Sequence, residues 1–254
     1  TRPWSLDPKG LGHTTAAVQF GFIAGTLLFA LSGIADRWPA RVLFFLCAAF
    51  GALANLALVA VHGGAPLIGL RFATGLALAG VYPIGLKIAG SWYRHDLGHA
   101  MGFMVGALVA GKALPFGVRA LGADLPWQAT IGVVSLCALA GGLVVLALVG
   151  EGPGSWPAPV RGAFRPVLFS VPGVRAAALG YFGHMWELYA MWAGVAAFLQ
   201  AGFQARVPPV GDAAFWAKVG AFATIGFGAI GCIAGGVLAD HFGRTSLTIG
   251  AMLL

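Results

Sequence analysis

The densest chemistry in the chain lies in one stretch, Tyr181-Phe182-Gly183-His184-Met185-Trp186-Glu187-Leu188-Tyr189-Ala190-Met191-Trp192. His184 and Glu187 are three residues apart, so on a helix they share a face, with Tyr181 and Met191 close to the same stripe. A carboxylate beside an imidazole can carry a proton, with Glu187 as the protonation site and His184 as its partner or as a contact for a polar solute. A packing pair that never titrates is the competing reading. Trp186, Tyr189 and Trp192 add an aromatic wall. Arg71 and Lys112 are the other charges that fall deep inside apolar runs. Each such charge costs about 2.5–3.5 kcal/mol to insert into a bilayer, so each is expected to face a cavity or a partner.

Other chemistries find little support. His-x-x-Glu is half a metal site, but the remaining histidines fall near run ends: His13 and His62 at one side, His95, His99 and His241 at the other. No metal and no cofactor is therefore expected. Cys47, Cys137 and Cys232 lie singly within apolar runs and read as buried small hydrophobes. No Gly-Lys-Ser/Thr phosphate loop occurs, so an ATP-driven pump is not supported. With no convergent nucleophile or ligand set, the chain reads as a non-enzyme with no catalytic residues.

The elements that must position these residues follow from composition. Of 254 residues, 59% are hydrophobic and only 9% charged, against about 25% charged in soluble domains. Mean hydropathy is +0.88. A bilayer-spanning helix needs about 20 mostly apolar residues. Runs of that kind fall at 14–34, 42–62, 66–88, 99–120, 129–150, 176–199 and 216–238, and another begins at 246. Barrel strands would alternate over about ten residues, and these runs do not. The expected fold class is all-α integral membrane, with about seven complete spans and the start of an eighth.

The net charge of +7 sits in short connectors and forms no basic block, so nucleic acid is not an expected partner. Arg37, Arg41, Lys87, Arg94, Arg161, Arg165, Arg175 and Arg244 fall on one side, against Arg2, Lys9, Arg119, Arg206 and Lys218 on the other. The first set is expected to be cytoplasmic, which puts residues 1–13 in an outer loop. The connector 151–175, with five prolines and three arginines, reads as a cytoplasmic linker between a bundle at 14–150 and part of a second at 176–254. Val160 to Phe169 could lie along the membrane surface.

A repeat supplies the strongest signal. Ser32-Gly33-Ile34-Ala35-Asp36-Arg37-Trp38-Pro39-Ala40-Arg41 aligns without a gap to Gly236-Val237-Leu238-Ala239-Asp240-His241-Phe242-Gly243-Arg244-Thr245. Each copy ends a helix with an aspartate and nearby cations, and such a carboxylate can meet a neighbouring helix N-terminus. Repeated halves are expected in transporters.

Here the sequence resembles the major facilitator superfamily, whose hallmark reads Gly, three residues, Asp, Arg or Lys, any residue, Gly, then basic residues. Gly236, Asp240, Gly243 and Arg244 match it; in the first copy Asp36, Arg37 and Arg41 hold, while Ser32, Pro39 and Ala40 depart. Arg71-Phe72-Ala73-Thr74-Gly75 is similar to the arginine motif of the family's fourth helix. In that register the chain covers the family's helices two to eight and the start of the ninth. The first helix and the last three would then be absent, and the 254 residues alone would not transport.

The resemblance implies a secondary transporter in an inner bacterial membrane, monomeric when intact, moving a small solute by alternating access. Asp36, Arg37, Arg41, Asp240 and Arg244 would form a conformational latch. Arg71, Lys112, Tyr181, His184, Trp186, Glu187, Tyr189 and Trp192 would line the substrate and proton pathway. By rise per residue, Arg71, Lys112 and Glu187 lie roughly 8, 10 and 15 Å below the outer face, close to one layer. Two cations against one anion lean toward an anionic solute, and Glu187 as the protonation site is the ground for expecting proton coupling. A non-transporting membrane sensor on the same fold is the alternative. Gly21/Gly25, Gly102/Gly106 and Gly231/Gly235 offer smooth faces for helix contact. Pro115 frees a carbonyl that Lys112 could satisfy.

Overall fold

The computed structural model of the chain describes residues 8–93, 95–121, 126–153, 170–208 and 211–253. Arg2, Arg94, Arg161, Arg165 and the expected surface stretch 160–169 lie outside the described residues. Every described element is helical: α1 (Pro8–Ser32), α2 (Ile34–Arg37), α3 (Ala40–Ala57) with a 3-10 turn at Leu58–Ala60, α4 (Gly64–Leu78), α5 (Tyr82–Trp92), α6 (Leu97–Ala120), α7 (Trp127–Leu148), α8 (Pro172–Gln204), α9 (Ala213–Phe242) and α10 (Arg244–Leu253). The chain is an all-α membrane bundle.

Among the described residues six segments are long and apolar enough to span a bilayer: Gly12–Ser32, Ala40–Ala60, Gly64–Trp92, Leu97–Ala120, Trp127–Leu148 and Ala213–Phe242. Six of the seven complete spans expected from the sequence therefore meet that standard. The seventh, α8, has 33 residues and ample length, but its middle carries Tyr181, His184, Trp186, Glu187 and Tyr189, which dilute its hydropathy. Large apolar side chains such as Phe20, Leu53, Leu136 and Phe227 stand exposed on the spans. Such surface is stable only where lipid replaces water as the neighbour.

The run 66–88 divides into α4 and α5. Pro83 has no N–H to donate, and its ring would meet the carbonyl of Ala79 in a continuous helix, so the chain tightens one turn earlier. Gly80 N–H donates to Ala77 O at 2.9 Å and Val81 N–H to Leu78 O at 3.1 Å, three-residue bonds in place of four. Pro115, by contrast, is accommodated inside the unbroken α6.

Contacts group the elements into two compact units, one of α1–α5 with α7 and one of α6 with α8–α10. In the first, α1 packs on α4, and α3 lies against both α4 and α7. A Cβ added to Gly21 would collide with the Phe72 carbonyl, and one on Gly75 with the Val18 carbonyl, so α1 and α4 touch backbone to backbone. Asn55 Nδ2 donates to Ser135 Oγ at 3.0 Å, joining α3 to α7 at an otherwise apolar contact.

In the second unit α6 packs along α9 in the same manner. A Cβ on Gly98 would meet the Gly236 carbonyl oxygen at 2.5 Å, one on Gly102 the Cys232 carbonyl oxygen at 2.7 Å, and one on Gly106 the Ala229 carbonyl oxygen at 3.0 Å. The Gly102/Gly106 pair thus lies in a contact, as Gly21/Gly25 does. Gly231/Gly235 does not: Gly231 has nothing near, and the contact face of α9 runs through Gly228, Cys232 and Gly236, four residues apart. Cys137 is exposed rather than buried; Cys47 and Cys232 are half-buried.

Gly102→Leu is expected to destabilise the chain in mixed micelles by about 1–3 kcal/mol through overpacking of the α6–α9 contact. Gly231→Ala should leave the unfolding midpoint unchanged. Equal effects of the two would remove the assigned register.

Candidate functional site

The second copy of the repeat builds the sharpest polar site. Val237 continues the helix, so α9 runs unbroken to Phe242 and Asp240 sits in its last turn. From there Asp240 Oδ1 accepts from Gly98 N–H and Oδ2 from His99 N–H, each at 2.9 Å. These are the second and third residues of α6, whose amides have no partner within their own helix. A side chain just ahead of a helix normally serves them. Asp96 holds that position, but its backbone is left-handed (φ 56°) and its side chain makes no capping bond. Asp240 supplies the cap from another helix, and its negative charge meets the positive end of the α6 dipole. The exposed Arg244 begins α10 directly after Gly243, whose φ of 82° turns the chain.

The first copy is built differently. Gly33, where the second copy has Val237, adopts a left-handed conformation (φ 62°) and ends α1, so Asp36 falls in the separate single turn α2. Lys87 Nζ of α5 lies 2.6 Å from Asp36 Oδ1 and donates to Ala35 O, also at 2.6 Å. Arg37 is exposed, and Arg41 is half-buried with its Nε shielded and without a hydrogen-bond partner among the described residues. The sequence drew attention to both aspartates; it gave no sign that their partners differ.

Of the pathway residues in the second unit, the structure brings three together. Lys112 Nζ of α6 lies 5.5 Å from the centroid of the Trp192 ring of α8, a cation–π contact. Tyr189 meets Trp192 edge to face at 5.4 Å. Trp192 packs against the core formed by Val109, Ala113 and Ile225. Lys112 therefore does not turn back to the carbonyl that Pro115 frees. His184 and Glu187 lie exposed on the same flank of α8, with no hydrogen bond between them; Tyr181 and Trp186 are exposed as well. Among the described residues Asp36–Lys87 is the ion pair within 4 Å, and neither Lys112 nor Glu187 takes part in one.

Arg71 belongs to the first unit and is half-buried on α4. A cavity of about 490 Å³ lies in that unit between α3, α4 and α7, lined by Asn55, Thr74 and Ser135 among mostly apolar side chains; Arg71 is not part of its wall. Among the described residues no group of three or more His, Cys, Asp or Glu side chains gathers as metal ligands would.

Sequence reasoning gave no site role to Lys87, counted only among the cytoplasmic cations, to His99, placed only near a run end, or to Gly98. The signal for Lys87 was its place as the second cation within the run 66–88. Gly98 extends the Gly102/Gly106 spacing by one step, and that extension marked the closest part of the helix contact.

Long apolar helices with lipid-compatible surfaces define an integral membrane bundle, and paired aspartate turns at helix ends define its polar features. A family model described as Major Facilitator Superfamily matches residues 4–254. The chain belongs to that superfamily, a family of secondary transporters of small molecules. No curated protein and no solved structure matches it.

Asp240→Ala should speed hydrogen exchange of the Gly98 and His99 amides about tenfold, the loss of one charged cap, while Asp240→Asn should fall between because an amide still accepts. Exchange unchanged in the alanine variant would show that the contact carries no stability.

Proposed function

We propose that the chain forms part of a proton-coupled carrier that moves a small anionic solute across a bacterial inner membrane by alternating access. The Asp240 contact with the α6 amides carries this reading. It is an ionic contact between the ends of two long spans, at the part of their seam where Gly98 and Gly102 face Gly236 and apart from the cluster of Val109, Ala113 and Ile225 farther along. In sequence order α6 falls in the proposed first bundle, 14–150, and α9 in the second, 176–254. Their shared seam is then where the two bundles rock, with Asp240 and Arg244 at its latch end.

The solute path in this reading follows the exposed polar flank of α8. Glu187 is the site that gains and loses a proton, His184 its partner, and Tyr181, Trp186 and Tyr189 the wall. Lys112, held over Trp192, supplies positive charge from α6. An anion attracted to Lys112 would draw the ammonium off the Trp192 ring, a contact of about 0.5–2 kcal/mol.

The test is uptake by the full native protein in proteoliposomes, screened over small organic and inorganic anions with and without a proton gradient. Glu187→Gln is expected to abolish gradient-driven accumulation and leave solute exchange at equilibrium intact. Lys112→Met is expected to raise KM for the anion about tenfold, the scale of one charge-assisted contact. Uptake indifferent to gradient and solute alike would point instead to a non-transporting sensor.

A further inference from the structure

The two copies of the repeat present their aspartates to partners of opposite kind. Asp240 meets backbone N–H groups at the end of another span, and both Asp240 and His99 are exposed. Asp36 meets an ammonium, and that ammonium also holds the carbonyl of the preceding residue. The flanking side chains differ too. Ile34 and Ala35 before Asp36, and Ile88 after Lys87, pack on the core cluster of Ala40, Leu43 and Ile84. Parting Asp36 from Lys87 would pull α2 from α5 and open that cluster to solvent or lipid. Parting Asp240 from α6 exposes the glycine end of the seam, at Gly98, Gly102 and Gly236, while the cluster of Val109, Ala113 and Ile225 lies farther along it.

The cause lies in one aligned position. Gly33 takes a left-handed conformation that stops α1, and the extra turn then carries Asp36 to Lys87. Val237 at the matching position is β-branched and disfavours that conformation, so α9 continues and Asp240 reaches α6.

We propose that Lys87 turns the first copy of the repeat into a permanent strut: the Asp36–Lys87 pair stays closed throughout the transport cycle, and the Asp240 copy alone opens. This rests on the alternating-access reading given above.

The test uses the full native chain in liposomes, with Cys47, Cys137 and Cys232 replaced by alanine. Cysteines placed at 36 and 87 are joined by a short bifunctional methanethiosulfonate, and hydrogen exchange is read at the Gly98 and His99 amides. A strut can be made covalent without consequence, so their exchange should stay within about twofold of the unlinked protein. Slowing by about tenfold or more would mean that the 36–87 contact must part for α6 to open, which overturns the proposal.

A second arm needs no opening at all. Asp36→Asn and Lys87→Met should each lower the unfolding midpoint, the two together should do no more harm than either alone, and Asp36→Lys with Lys87→Asp should recover at least half of the loss. A swap as damaging as the single changes would show that residue 36 must be an anion, as a helix N-terminus requires, and would also overturn the strut. If Asp240→Ala leaves the Gly98 and His99 amides unaffected, the latch reading fails by itself, and the strut is then decided by the swap.

Discussion

The first-turn amides of α6 cannot be satisfied within α6, and at a membrane protein's helix end an unsatisfied amide is costly. Asp240 of α9 takes two of them. Much of the second unit follows from that single contact. For the carboxylate to reach, α9 must continue through its last turn without a break, which Val237 allows. For the helices to lie close enough, their facing positions must be glycine, and Gly98, Gly102, Gly106 and Gly236 meet that need. The core cluster of Val109, Ala113 and Ile225 then fixes the rotation of α6 against α9, and with it the place of Lys112 over Trp192.

The first unit solves a similar problem with side chains. Its α1–α4 contact is also built on glycine, but the aspartate turn is anchored by Lys87 and backed by apolar packing. Two copies of one sequence pattern therefore give two mechanical elements, because a glycine and a valine at the aligned position direct the chain differently. A charge held by backbone dipoles and a charge held by a flexible ammonium are comparable in strength, yet they differ in what must move for them to part.

Most of the architecture was legible in the residues. Apolar runs located every long helix within a few positions, since about 20 apolar residues have few alternatives to spanning a bilayer. The aspartate repeat located both polar turns and pointed to the family. Three things were not legible. The break between α4 and α5 depends on Pro83 acting one turn upstream. The contact register of α9 passes through Gly236 and not through the more conspicuous Gly231/Gly235 spacing, because helix rotation is set by the partner. Lys87 and the α6 amides are partners of the aspartates in space but distant in sequence, and a single chain carries no signal for that distance. The polar flank of α8 was visible from the start as chemistry; what its exposed His184 and Glu187 contact during turnover is a matter of function.

The claim on which the account turns is that the Asp240 end of the α6–α9 seam opens and closes. Spin labels at Phe103 of α6 and Phe242 of α9, both exposed, would report that separation in the full native protein in bilayers. Two distance populations are expected, with Asp240→Ala moving weight to the longer one. A single distance, the same in the native and alanine proteins and indifferent to an imposed proton gradient, would contradict it.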